Sequence, residues 1–551
     1  MRKRTILTLF VCSILIISIV YNTAQAGTSE PIIGKTARYC NPLPMVSGQG
    51  GNASGDVTVI KEGDKYYMYC TGGGAWISED LLNWTFQRVA NVPVAPDVFK
   101  FNGSFYMAGN DGSHNGTQSR EGVVYKADNP LGPFVSIGEW KNTGWIENGW
   151  NGAFDVEMFV DDDNTPYLYY SGRGVSGIYG VPLDPNDITK LAAKPTHLFS
   201  FNSDHVWERY GEMNEYPDVA WVEGPWLQKH NGIYYLQYSA SGTQWKTYAE
   251  GYYMSKSPLG PFTYAPNNPL LRKTEGLVTG TAHGSVVEGP DGNLWQFYTI
   301  VLSNPPGGRR IGMDRIVVDE DGLMSVKVTD TPQWAPGALK DPTKGDSGSI
   351  PVTINKLRAM NALSSYSSQQ TGRDAAYAID NASGTWWEPE TTDAQPTLTI
   401  ELSPATAYDV VQLFTIDSVR LMFGGGSRGG FGRGGFGRGG AGARGLGRGA
   451  AGAGAATPAT TPEPAAPARP ATNAYQYKIE TSMDGNTYTT ALDMTKNDIA
   501  RSTIFEEIPP VKCRFVRLTM TNWPGSSLGI IEFTVFGKSA GSEPKAAPIP
   551  D

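Results

Sequence analysis

The chain has 551 residues, a formal net charge of −9, 40% hydrophobic and 11% aromatic residues. That length allows two or three domains with sizeable cores. The acidic balance speaks against nucleic acid and anionic surfaces as partners and leaves neutral substrates such as sugars open.

Residues 1–26 read as a signal peptide. Met1-Arg2-Lys3-Arg4 is basic, Thr5 to Tyr21 is apolar, and Ala24-Gln25-Ala26 gives a small-residue cleavage site. The expectation is an exported protein, periplasmic or extracellular, with no membrane insertion after cleavage. Cys40, Cys70 and Cys513 follow this segment. An odd, sparse set is no disulfide framework, and isolated thiols are expected although Cys40 and Cys70 could pair.

Residues 27–335 repeat one pattern: an acid, a short strand, a turn and an aromatic strand. It occurs at 61–71, 100–110, 160–172, 222–240 and 288–300. N-G, D-G and D-N turns between apolar runs are hairpin signals. The outer halves VVYKADNPLGPF (123–134) and YYMSKSPLGPFTY (252–264) also match each other. Repetition at this spacing implies five copies of one unit, which predicts a five-bladed β-propeller. Asp161-Asp162-Asp163 lacks the spacing of a calcium hand and reads as a hairpin turn.

Residues 336–355 read as a linker. Residues 356–538 show short strand patterns without helices, which predict a β-sandwich, and 539–551 form a tail. The whole is therefore all-β. A Gly/Arg/Ala/Pro-rich insert at 424–473 interrupts the sandwich and is expected to stay disordered. Its Arg-Gly-Gly repeats suggest RNA binding in a cytosolic chain, but the export signal favours a flexible loop.

In a propeller, the residues leading each first strand converge. The sequence places Asp56, Asp97, Asp155, Glu223 and His283 there. A single Asp before a strand is more often a turn residue than a catalyst. Several acids in one repeated place weaken that explanation. Two carboxylates across a sugar are what glycoside hydrolysis needs, one ionised to activate water and one protonated to serve the leaving oxygen. A neighbouring carboxylate raises the acid's pKa. These residues alone do not say which acid takes which role. Trp76, Trp150 and Trp226 lie near the motifs and are candidate sugar platforms, although core packing explains them as well.

SGDVTVIKEGDKYYMYCT, APDVFKFNG, FDVEMFVDDDNTPYLYY, VEGPWLQKHNGIYYLQYS and AHGSVVEGPDGNLWQFY together resemble glycoside hydrolase family 43 over about 37–335. The resemblance implies inverting chemistry on a five-bladed propeller, with Asp56 as base, Asp155 as pKa modulator and Glu223 as general acid. Asp97 then matches a supporting acid that helps bind substrate. His283 matches a central histidine, often beside a structural calcium with water between. Arg309 or Arg310 matches an arginine near the acid, with Arg310 taken as the substrate contact. Gly55-Asp56-Val57 departs from the family's usual Asp-Pro pair.

AYAIDNASGTWWEP, QPTLTIEL, YKIETSMDGNTYT and CRFVRLTM resemble the discoidin, or coagulation factor type C, family. That resemblance implies a jelly-roll sandwich, with Trp386 and Trp387 read as core. The expected function is cleavage of terminal sugars from plant-type oligo- or polysaccharide by a monomer, as an α-L-arabinofuranosidase or β-xylosidase. A non-catalytic sugar-binding propeller, or another exo-glycosidase such as a galactosidase, is the alternative. A related retaining fructosidase needs Asn-Asp-Pro-Asn and Glu-Cys motifs, and neither is present.

Overall fold

The computed structural model describes residues 38–47, 55–110, 121–140, 153–302, 308–337, 345–353, 363–402, 410–424 and 469–544. The expected signal peptide, Trp150, insert residues 425–468 and tail residues 545–551 lie outside them. Described regular structure is all-β apart from three short 3-10 turns.

Five antiparallel sheets follow one another in chain order, here called I to V. Their first strands are Thr58–Glu62, Val94–Phe101, Phe154–Val160, Glu223–His230 and Ala282–Glu288. Each first strand forms a hairpin with the next strand, so the five repeats of the sequence are these hairpins. Asn102-Gly103 and Asn231-Gly232 both sit at positive φ, as a two-residue primed turn requires.

Buried side chains tie each sheet to the next. Thr58 Oγ1 donates to Pro96 O at 2.8 Å, joining I to II. Asp97 Oδ2 accepts Met158 N–H at 2.8 Å, joining II to III. Glu157 Oε2 accepts Leu227 N–H at 2.7 Å, joining III to IV. Ser239 Oγ accepts His283 N–H at 2.8 Å, joining IV to V. Ser285 Oγ accepts Val59 N–H at 3.0 Å and closes V back onto I. Buried backbone donors that face a neighbouring sheet need such partners, because an orphaned donor costs about 1–3 kcal/mol.

The C-terminal unit has two antiparallel sheets. One holds Ile350–Pro351, Ile530–Pro544, Val410–Phe423 and Thr503–Cys513. The other holds Leu363–Tyr366, Thr397–Glu401, Phe515–Asn522, Gln476–Ser482 and Thr489–Asp493. Trp387, Ile400, Val419, Leu421, Tyr477 and Phe533 share their core. Strand pairing corrects both edges of the expected domain. Ile350 pairs with Gly537, inside the expected linker, and Pro544 pairs with Val410, inside the expected tail. The insert's end is also ordered, because Arg469 donates to Asn522 Oδ1 and stacks on Trp523.

The two units share an interior. Trp386, Met422 and Ile531 join a cluster with Tyr235, Tyr298 and Ile300. Arg420 reaches Asn41 O at 2.7 Å and Asp330 O at 3.0 Å. Cys40, Cys70 and Cys513 are buried, and none forms a disulfide among the described residues.

Candidate functional site

Each first strand opens on a distorted step. Asp56, Ala95, Asp155, Gly224 and His283 all have φ between 45° and 56°. Hairpin register shifts at the same step in sheets II to V. A left-handed residue costs roughly 1–2 kcal/mol when it is not glycine, and such strain concentrates at functional sites. At Gly224 a Cβ would stand 2.8 Å from the His283 ring, so only glycine fits there.

This register corrects the expected alignment of leaders. Neither Asp97 nor Glu223 shares the place of Asp56; Ala95 and Gly224 do, and Glu223 stands one residue before it. Asp97 stands two residues further on, level with Thr58, Glu157, Trp226 and Ser285. Four of those five are the clamps between sheets. Asp97 is buried, with its carboxyl spent on Met158 N–H, so it is no substrate contact.

Asp56, Asp155, Glu223 and His283 do come together. Asp56 Oδ1 lies 2.6 Å from Arg309 Nη1 and 3.3 Å from His283 Nδ1. Its Oδ2 accepts Thr71 Oγ1–H at 2.6 Å, and its N–H donates to Thr299 Oγ1 at 2.8 Å. Asp155 Oδ1 accepts from Asn110 Nδ2 at 2.7 Å, and Oδ2 lies 3.8 Å from His283 Nδ1. Glu223 Oε1 accepts from Tyr248 OH at 2.8 Å.

Identical burial leads to opposite charge states. Burial pushes the Asp56 carboxyl up, but the Arg309 guanidinium, His283 and the Thr71 hydroxyl together pull it below its ordinary value. Burial pushes Glu223 up to about 7, helped by Asp56's charge and opposed by Tyr248, Arg309 and Arg173. Asp155 is also pushed up to about 7, first by burial and then by the charges of Glu223 and Asp56, against His283. The cluster therefore holds one firmly ionised carboxylate beside carboxyls that keep a proton near neutrality.

Several other expected contacts fall elsewhere. Trp76 is 1% exposed, packs in the core with Phe86 and donates its indole N–H to Val46 O, so it is no sugar platform. Trp226 packs against the cluster containing Tyr235 and Val286. Arg310 turns away from the site, to Thr503 Oγ1 and Phe423 O of the C-terminal unit. Successive residues of a strand face opposite sides, so of the arginine pair it is Arg309 that reaches Asp56.

Among the described residues, Asp155, Glu223 and His283 place one donor atom each within 4.8 Å of one another. Calcium takes six to eight oxygens. Two carboxylates and an imidazole do not by themselves meet that demand.

The sequence did not single out Thr71, Asn110, Tyr248, Arg173, Phe154 or Trp221. Arg173 lies over the Phe154 ring at 4.2 Å, and Phe154 stands 6.4 Å from Trp221. Phe154 and Trp221 flank Asp155 and Glu223 by one and two residues, the one signal that could have marked them.

The sequence profile described as "Glycosyl hydrolases family 43" matches residues 51–324. A β-D-galactofuranosidase of Aspergillus niger is 28% identical over 285 residues, which are 46% of this chain and 74% of that protein. A xylosidase/arabinosidase of Butyrivibrio fibrisolvens is 24% identical, over 48% of this chain and 53% of its own. A non-reducing end α-L-arabinofuranosidase of Bacteroides ovatus is 25% identical, over 46% of each. The solved structure of a thermostable family-43 glycoside hydrolase is 28% identical, with a TM-score of 0.45, over 54% of this chain and 99% of that one. Homologues in this family are glycosidases, hydrolases of O-glycosyl compounds that invert configuration. Residues 51–324 thus form a domain of glycosyl hydrolases family 43.

Proposed function

We propose that this chain is an exported exo-acting glycosidase that removes terminal sugars from plant-type polysaccharide, as an α-L-arabinofuranosidase or β-xylosidase. The opposite charge states of Asp56 and Glu223 carry this reading. The names of the relatives from Butyrivibrio fibrisolvens and Bacteroides ovatus support the sugar class. The Aspergillus niger relative supports a second reading, a galactofuranosidase on the same machinery. In the proposed architecture, sheets I to V are the blades of a β-propeller and the C-terminal unit is a discoidin-like jelly roll.

In the proposed mechanism, Asp56 accepts a proton from water, and that oxygen attacks the anomeric carbon. Glu223 gives its proton to the glycosidic oxygen as the bond to the leaving group breaks. Attack opposite the leaving group inverts configuration. Proton exchange with solvent then returns both carboxyls to their starting states. Asp155 does not touch the transferred proton. Ionisation of either carboxyl of the Asp155–Glu223 pair disfavours ionisation of the other, so Asp155 helps Glu223 hold its proton as pH rises through neutrality. Arg309, Thr71 and His283 hold Asp56 ionised and oriented.

Glu223→Gln tests the acid. The variant folds and loses most activity on unactivated glycosides, but keeps more on substrates whose leaving group needs little protonation. Equal loss on both substrate types contradicts the assignment.

A further inference from the structure

An aromatic cluster stands beside the carboxylates and takes no part in the proposed proton transfers. The segment 243–248 is fixed at both ends by the site. Thr243 Oγ1 accepts from Arg309 Nη1 at 3.2 Å, and Tyr248 OH donates to Glu223. Trp245 lies between them, 5.5 Å from Tyr210 in an edge-on pair. Tyr210 stands 6.3 Å from Tyr216. The Tyr210–Tyr216 turn is held to the same segment by Thr247 Oγ1, which donates to Gly211 O at 2.7 Å.

Three features mark this patch as a binding surface. Met213 is 75% exposed, Tyr216 50% and Val219 44%, so one short loop concentrates large apolar side chains at the surface. Clustered apolar exposure of that kind marks binding sites more often than chance. The Trp245 indole N–H is out of solvent and has no acceptor among the described residues, although a buried indole N–H usually finds one. Finally, the patch continues the site on the side of Tyr248, the group that holds the proton donor.

We propose that Tyr210, Tyr216 and Trp245 form a subsite for the sugar that carries the leaving oxygen. Its ligand is a neutral oligosaccharide or polysaccharide backbone, laid on the aromatic faces. The inference rests on the reading of Glu223 as general acid. It makes a polymer-bound side chain, rather than a free disaccharide, the preferred substrate.

The test compares one terminal sugar in two settings, on a branched oligosaccharide and on nitrophenol, for wild type, Tyr216→Ala and Trp245→Phe. The expected result is a loss of kcat/KM on the oligosaccharide about tenfold greater than the loss on the nitrophenyl glycoside, mostly through KM. Equal losses on both substrates, or no added loss on the oligosaccharide, overturn the subsite. Dissociation of a dimer by Tyr216→Ala also overturns it, by making the patch a contact between copies of this chain. Glu223→Gln serves as the control. If it stays fully active, the reading of the reaction fails. If it is inactive and the aromatic variants match wild type, only the subsite fails.

Discussion

Asp97 and Glu157 are as buried as Asp155 and Glu223, and burial raises the pKa of all four. Two residues along a strand separate the two kinds. At the strand mouths, Asp155 and Glu223 lie in one cluster with Asp56 and His283, so their charges answer to one another. Two residues further in, Asp97 and Glu157 each face a backbone N–H of the next sheet. In the proposed mechanism the first kind serves proton transfer, whereas the second holds five sheets in a closed circuit. A raised pKa in a buried carboxyl therefore does not identify a catalyst; the group that it faces does.

The largest expected effect separates the two kinds outright. Asp56→Asn removes the ionised base and is expected to lower kcat by about 10³-fold, with the fold intact by circular dichroism. A variant within tenfold of wild type would remove Asp56 from the chemistry.

Asp97→Ala should do the reverse. It orphans Met158 N–H, at a cost of about 1–3 kcal/mol, so the thermal midpoint falls by several degrees while kcat of the folded enzyme changes little. Asp97→Asn keeps the acceptor and sharpens the point through pH. Burial places Asp97 at about 7 in the fold, against an ordinary value of 3.8. Between those values the native state holds the extra proton, so stability from this group falls as pH rises through the window. Wild type is therefore expected to lose more thermal stability between pH 4 and pH 7 than Asp97→Asn does. Identical slopes would contradict the burial of this carboxyl.

Asp155→Asn has a subtler effect. Loss of its charge lowers the pKa of Glu223, so the alkaline limb of the pH–rate profile moves down by about one unit. Activity drops most above neutrality and recovers partly in mild acid. Loss at every pH with the limb unmoved would make Asp155 only a substrate ligand.

The smallest effect concerns Arg310. Its Nη1 holds Arg309 O at 3.0 Å, and the same guanidinium donates to Thr503 Oγ1 and Phe423 O of the C-terminal unit. Arg310→Met is expected to loosen Arg309 and lower kcat roughly three- to tenfold. The acid limb should move to higher pH as Asp56 loses part of its charge partner. An unmoved limb would confine Arg310 to the interface.

The hairpins and the mouth carboxylates were legible in the sequence, for local reasons. Asn-Gly and Asp-Gly turns set hairpin ends, and Asp56, Asp155 and Glu223 each lie at or within two residues of the start of a first strand. The offset of Asp97 was not legible. Ala95 carries the distorted step, and nothing about an alanine signals a left-handed backbone. Trp76 and Trp226 misled because an indole beside a motif packs as readily as it binds. Arg309 and Arg310 are chemically alike, and only the phase of their strand, fixed by pairing with Ile300 and Val301, decides which one faces Asp56. Thr71, Asn110 and Tyr248 come from other strands and loops, and their distances from the acids appear only once the sheets close.

One substitution made at two glutamates tests the central distinction most directly. Glu223→Gln and Glu157→Gln both neutralise a buried acid and keep its shape. In Glu157→Gln the new side-chain amide oxygen can still accept from Leu227 N–H. Turnover of an unactivated glycoside is measured for both, beside their thermal midpoints. The account predicts a loss of about 10³-fold for Glu223→Gln and retention of activity within a few-fold for Glu157→Gln. Comparable losses in the two variants, at unchanged stability, would contradict it.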